Sequence, residues 1–249
     1  MLSFAALATA FTAPITATPA AAQGDLLVAP TRVILDGRRG TEVILSNIGS
    51  EEATYRIGLE LRRMADDGAL VEVKREEANA LEEAALSMIR YAPRRITLPP
   101  GQPQAVRIGA RPGAELPDGE YRVHMSFRAI PRPRPVTEQS QQAEGISIRL
   151  TPIYGVTIPI IVRHGRLEAQ VAIEDPKVVQ DGEGAVLTFG LQRTGESSTY
   201  GELRVMHPGK AQPVYLARGI AVYSELDRRT VELKLTPEQA AQMKGQLRF

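Results

Sequence analysis

ISIRLTPIYGVTIPIIVR, residues 146 to 163, is the longest β-type run in the chain and the stretch on which the fold reading turns. Its even positions, Ile146, Ile148, Leu150, Pro152, Tyr154, Val156, Ile158, Ile160 and Val162, are apolar, whereas Ser147, Arg149, Thr151, Gly155, Thr157 and Arg163 are polar or small. Alternation of this kind predicts one long strand with an apolar face. Pro152 and Pro159 cannot donate to a hydrogen-bond ladder, so they confine the run largely to a sheet edge. A long apolar edge is an aggregation hazard unless something covers it. A soluble protein that keeps one has a use for it, and addition of a partner's strand is a known mode of recognition.

The residues on either side are also β-type. Tyr121–Ile130 (YRVHMSFRAI) alternates with Tyr121, Val123, Met125 and Phe127 on one face, and Pro131–Gly145 is a polar, Pro- and Gln-rich connection with little to bury. Upstream, Leu26–Leu35, Glu42–Leu45, Ala53–Arg63, Leu70–Val73, Met88–Tyr91, Arg95–Leu98 and Ala105–Ile108 read as strands between turns such as Asp66-Asp67-Gly68 and Pro99-Pro100-Gly101. Arg75–Leu86, rich in Ala and Glu, predicts a short helix whose glutamates form a solvated face. Downstream, Leu167–Ile173, Ala185–Leu191, Tyr200–Met206, Val214–Ala217 and Thr230–Leu235 form a second strand set. Thr236-Pro237-Glu238-Gln239 then predicts a capped helix start, and Gln246–Phe249 reads as a strand cut short. The layout is all-β, with two sandwiches joined at His164-Gly165.

A chain of 249 residues is long enough for two domains with separate cores. Thirty basic residues against 29 acidic ones give no global field for nucleic acid or an anionic membrane, and seven Tyr, five Phe and no Trp offer no stacking platform. The absence of Cys removes disulfides and thiolate metal sites. Residues 1–22 read as a signal peptide, with an apolar Met1–Ala13 and small residues at Ala20-Ala21-Ala22, which predicts export. No later stretch reaches a membrane-spanning length. His124, His164 and His207 lack metal-ligand spacing, His124 reading as a sheet-surface side chain. No phosphate loop, nucleophile elbow or nucleotide fingerprint is present, so no enzyme, cofactor or metal is expected.

Several short pieces in a fixed order carry a resemblance. They are Ala29-Pro30-Thr31-Arg32-Val33, Leu45-Ser46-Asn47, Leu98-Pro99-Pro100-Gly101-Gln102, Val106-Arg107-Ile108, Leu116-Pro117-Asp118-Gly119-Glu120, Arg128-Ala129-Ile130-Pro131 and the long strand ending at Arg163. Over roughly residues 25 to 165 the set resembles the periplasmic chaperones of bacterial pilus assembly, the PapD-like family, in a divergent form. The resemblance implies two immunoglobulin-like sandwiches at an angle with a cleft between them, 23–163 forming the chaperone domain and 164–249 the second domain. It implies that Arg32 anchors the C-terminal carboxylate of a pilus subunit, and that Ile148, Leu150, Pro152, Tyr154 and Val156 are lent to that subunit's open groove. Glu120 and Arg163 match a charge network that fixes the interdomain angle.

The family's anchoring Lys has no counterpart. Pro159 stands near its place, no Lys occurs between Lys74 and Lys177, and Arg149 and Arg163 are the nearest substitutes. The partners implied are pilus or fimbrial subunits and an outer-membrane usher, the compartment is the periplasm, and the free edge offers a route to self-association. Without the resemblance, Arg32 reads as a solvent-facing strand residue and the chain as a secreted two-domain structural or adhesive module.

Overall fold

The computed structural model describes residues 26–131, 153–182 and 184–249. The expected leader, nearly all of the Pro131–Gly145 connection and the stretch 146–152 lie outside them, and with that stretch Ile148, Arg149, Leu150 and Pro152.

The first strand set is β1 (Leu26–Ala29), β2 (Val33–Leu35), β3 (Thr41–Asn47), β4 (Ala53–Met64), β5 (Leu70–Val73), β6 (Ile89–Ala92), β7 (Arg95–Leu98), β8 (Pro103–Ala110), β9 (Gly119–Ile130) and β10 (Gly155–His164), with helix α1 (Ala80–Met88) before β6. One sheet has the order β1-β3-β8-β6, and the other β2-β10-β9-β4-β5 with β7 also on β4. The alternating residues of β9 face the space between the sheets. Tyr121, Val123, Met125 and Phe127 are buried there with Ile158 and Ile160 of β10, Leu45 of β3 and Tyr55 of β4.

Leu26–Leu35, expected as one strand, is two strands in two sheets. β1 pairs antiparallel with β3, and β2 pairs parallel with β10. Pro30 has no N–H to offer either ladder, so the chain crosses between sheets at Pro30-Thr31-Arg32. Arg32 thereby stands immediately before β2 and not within a continuous strand.

Asn47 at the end of β3 is buried and ties three segments together. Its Nδ2 donates to the carbonyls of Glu51 (2.6 Å) and Leu98 (2.9 Å), and its Oδ1 accepts from the Gly49 N–H (3.0 Å). Asn47→Ala leaves the buried Leu98 carbonyl short of its partner and loses the ties to Glu51 and Gly49, at a cost of about 1–3 kcal/mol. A fall of that size in the stability obtained from urea denaturation is expected.

The Ala- and Glu-rich segment forms a single 3-10 turn at Arg75–Glu77 and then α1, capped by Asn79 and Glu82 in a reciprocal box. Its glutamates are not all solvated. Glu82 receives two hydrogen bonds from the Arg63 guanidinium at 2.7 Å, which pins the helix to β4 and holds the Glu82 carboxyl below its ordinary pKa.

The chain leaves β10 through Gly165, whose φ of +80° and whose approach to the Asp118 carboxylate, 2.0 Å from where a Cβ would sit, admit no side chain. The second set follows: β11 (Ala169–Asp181), β12 (Gly184–Gly195), β13 (Thr199–Val205), β14 (Tyr215–Val222), β15 (Arg228–Leu235) and α2 (Pro237–Gln242). Sheet β11-β12-β15 packs against the hairpin β13-β14 around Leu187, Phe189, Leu203, Val205, Val222 and Val231. The expected helix start is present, with Thr236 Oγ1 accepting from the Gln239 N–H and Gln239 Oε1 accepting from the Thr236 N–H. At the C-terminal end only a single bridge, Met206 to Arg248, replaces the expected strand. The protein is all-β, two immunoglobulin-like sandwiches with separate cores.

Candidate functional site

β10 has two neighbours for only part of its length. On one side it pairs with β9 throughout, from Gly155 opposite Arg128 to His164 opposite Gly119. On the other side β2 covers only Ile160, Ile161 and Val162. Among the described residues, Gly155–Pro159 therefore form an open edge. The expectation of an edge strand holds for this part, while β2 closes the C-terminal part.

The apolar face continues along the open part and then runs out of core. Ile158 is buried, Val156 is half-buried against the first core, and Tyr154 is 49% exposed. The Tyr154 carbonyl still accepts from the Ala129 N–H at 2.9 Å, so the backbone stays in register with β9 where the side chain has left the interior. A cavity of about 270 Å³ opens here, lined by Leu26, Ile48, Tyr55, Phe127, Tyr154 and Val156.

Arg32 sits at the other end of the open edge. Val33 is opposite Ile160 in the parallel register, so Arg32 falls level with Pro159. Its Nη2 donates to Ser198 Oγ at 3.1 Å, and its guanidinium carbon lies 4.7 Å from the Tyr200 ring centroid and 5.8 Å from that of Tyr223. Burial pulls its pKa down, partly offset by Tyr223 and Glu120. Among the described residues Arg32 forms no ion pair, and its Nε is buried with no hydrogen-bond partner.

Glu120 and Arg163 lie opposite one another on β9 and β10, with Arg163 Nε donating to Glu120 Oε2 at 3.1 Å. The same oxygen accepts from the Ser198 N–H (3.0 Å) and Oγ–H (2.9 Å), and Arg163 Nη2 donates to the Ser198 carbonyl (2.9 Å). One buried carboxylate thus joins the two sandwiches.

A second bridge uses residues that the sequence reading passed over. Arg122 donates to both carboxylate oxygens of Glu225 (2.5 and 2.9 Å) and to the Arg62 carbonyl, and it lies 3.7 Å over the Tyr223 ring. Burial disfavours ionisation of Glu225, yet Arg122 and the Met64 N–H outweigh it and hold the carboxyl below its usual pKa. Arg122, His124 and Ser126 alternate on β9, which was signal enough for a polar face. The partners of Arg122 and His124 in the second sandwich, Glu225 and Tyr223, lie about a hundred positions away, with no motif to announce them.

His124 departs from the expected surface position. It is 1% exposed, packs edge-on against Tyr223, and has neither ring nitrogen hydrogen-bonded among the described residues. Desolvation, with Arg122 and Arg62 close by, pushes its pKa down to about 3. The folded protein keeps His124 neutral, whereas the unfolded chain takes up a proton below about pH 6.5. Stability is therefore full above pH 6.5 and falls toward pH 3, by about 1.4 kcal/mol per unit once the unfolded form is charged. Denaturation at pH 6.5 and pH 5.0, above the range where carboxylates titrate, is expected to show this slope in the wild type and its loss in His124→Leu.

Among the described residues no cluster of three or more His, Asp or Glu is arranged to hold a metal ion, and no helix is long and apolar enough to cross a membrane.

No protein-family model matches this sequence, and no curated protein matches it at a significant level. Solved structures with a similar fold include one from a chaperone–tip adhesin complex of CFA/I fimbriae, 11% identical over 84% of each chain with a TM-score of 0.46. Another is from the chaperone–tip adhesion subunit pre-assembly complex of the archaic chaperone–usher Csu pili of Acinetobacter baumannii, 13% identical over 85% of this chain and 87% of that one, TM-score 0.45. The E. coli chaperone DraB is 14% identical over 85% of each, TM-score 0.43. In fold, the chain is similar to structures from pilus and fimbrial chaperone systems.

Proposed function

We infer that the protein is a periplasmic chaperone for pilus or fimbrial subunits, which it holds by lending the open edge of β10 to a subunit that lacks a strand, for delivery to an outer-membrane usher. The observation that carries this reading is the register of Arg32 with the end of the open edge. A strand added along Gly155–Pro159 occupies the lane that β2 takes up at Ile160. If the added strand runs parallel to β10, its carboxyl end arrives at Arg32, the one end of a peptide that is an anion. Backbone ladder bonds then give affinity, and Tyr154 and Val156 supply apolar side chains to the subunit's groove. The process has no chemical step and needs no cofactor. Glu120 and Arg163, tied through Ser198, hold the second sandwich beside the anchor.

Arg32→Glu places a like charge where the carboxylate arrives. When it is co-expressed in the periplasm with a pilus subunit lacking its complementing strand, the yield of soluble complex is expected to fall at least tenfold, while the variant alone still accumulates. Wild-type yields of complex from Arg32→Glu would remove the anchor from this account.

A further inference from the structure

Beside Arg32 the second sandwich stands open. Strands β11 and β13 lie on different sheets, and between them is a cavity of about 200 Å³ lined by Val171, Ile173, Phe189, Leu191 and Ile220. Gly201 leaves room at the wall. It sits on β13 at the cavity wall with no side chain, and a Cβ built there would meet nothing within 4 Å. Apolar cavities of about 150 Å³ hold a benzene ring, so this one takes a single aromatic or large aliphatic side chain.

Tyr200 links the cavity to Arg32. It is 56% exposed, it is among the residues that line the cavity, and the guanidinium of Arg32 lies 4.7 Å from its ring centroid. Arg32 is a part-buried cation with no carboxylate partner among the described residues, and a cation so placed favours an anion. An apolar void one side chain away favours an apolar group. A residue at a free chain terminus carries both on one α-carbon. An internal peptide segment does not.

We propose that this chain selects partners by their last residue, whose carboxylate meets Arg32 and whose apolar or aromatic side chain enters the cavity between β11 and β13 past Tyr200. The proposal rests on Arg32 being the anchor for a chain terminus, and it adds the second sandwich as the part that reads which residue ends the partner.

Calorimetric titration of the full chain with three N-acetylated tetrapeptides tests it: Gly-Gly-Gly-Phe as free acid, the same peptide as C-terminal amide, and Gly-Gly-Gly-Gly as free acid. The wild type is expected to bind the Phe acid at least tenfold more tightly than either of the others. Gly201→Leu, which fills the cavity from its wall, is expected to lose the preference for Phe over Gly while still preferring acid to amide. Equal affinity of the wild type for the Phe and Gly acids, failure of the wild type to bind the Phe acid, or an undiminished Phe preference in Gly201→Leu would each overturn the proposal. The comparison among peptides on the wild type does not depend on how well the variant folds. The two readings are told apart on the wild type: capture of a strand-deficient subunit without a Phe preference keeps strand lending and overturns this proposal, whereas a Phe preference without capture keeps this proposal and overturns strand lending.

Discussion

Tyr154→Asp, alone or with Val156→Asp, is expected to abolish recovery of a soluble complex with a strand-deficient pilus subunit. Each large apolar side chain moved from water into a closed groove contributes about 1.5–3 kcal/mol, so losing one weakens binding by one to two orders of magnitude. Burying an unpaired carboxylate in its place adds a further penalty. Tyr154 is the more informative position because its side chain is about half exposed, so a charge there leaves the protein's own core intact. Val156 is half-buried against that core, and its replacement lowers stability as well as binding. Equal thermal unfolding of Tyr154→Asp and wild type, with complex lost only in the variant, is the expected pair of results. A normal yield of complex from the double variant would contradict strand lending.

The second large effect lies at the junction. Glu120→Ala removes a carboxylate with no solvent exposure and strands the Ser198 N–H, the Ser198 hydroxyl and the Arg163 guanidinium that it holds. Breaking a buried pair costs about 3–5 kcal/mol, and because Arg163 remains one-third exposed the lower end is expected, about 3 kcal/mol in urea denaturation. Glu120→Gln keeps the shape and part of the hydrogen bonding, and its loss should be intermediate. As a control, Glu42 pairs with Arg107 on an exposed strand face, and Glu42→Ala should leave the denaturation midpoint where it is. Small-angle scattering of Glu120→Gln reports separately on the angle between the sandwiches. An unchanged profile together with unchanged stability would deny Glu120 its joining role.

The first sandwich was legible because its strands carry one-sided patterns. Tyr121, Val123, Met125 and Phe127 have a single solution, the gap between two sheets, and they occupy it. The capping box at Thr236 was equally readable, since its chemistry is local. The junction was not readable, because the opposite face of β9 is polar for a reason that period-two patterning cannot express. Arg122 and His124 look like solvent-facing residues until Tyr223 and Glu225 arrive from the second sandwich to cover them. Arg32 was placed by its resemblance to an anchor, but its surroundings of Ser198, Tyr200 and Tyr223 come from far down the chain and carry no motif. Leu26–Leu35 reads as one β-type run because both halves carry apolar β-formers, whereas Pro30 marks the passage from one sheet to the other.

The position of Pro159 now has a physical context. It faces His124 across the ladder and is level with Arg32, at the point where β2 begins to cover β10. The cation beside it comes from the neighbouring strand, and the aromatic rings beneath that cation come from the second sandwich. A tyrosine face holds a guanidinium in place without neutralising it, which leaves the charge for a ligand.

The most direct test of strand lending is hydrogen exchange of the backbone along β10, measured in the free protein and in its complex with a strand-deficient subunit. If the edge is lent, amides between Gly155 and Ile158 that point away from β9 become protected in the complex, while those of Ile161 and Val162, already beside β2, change little. A complex that forms with no added protection between Gly155 and Ile158 would contradict the account.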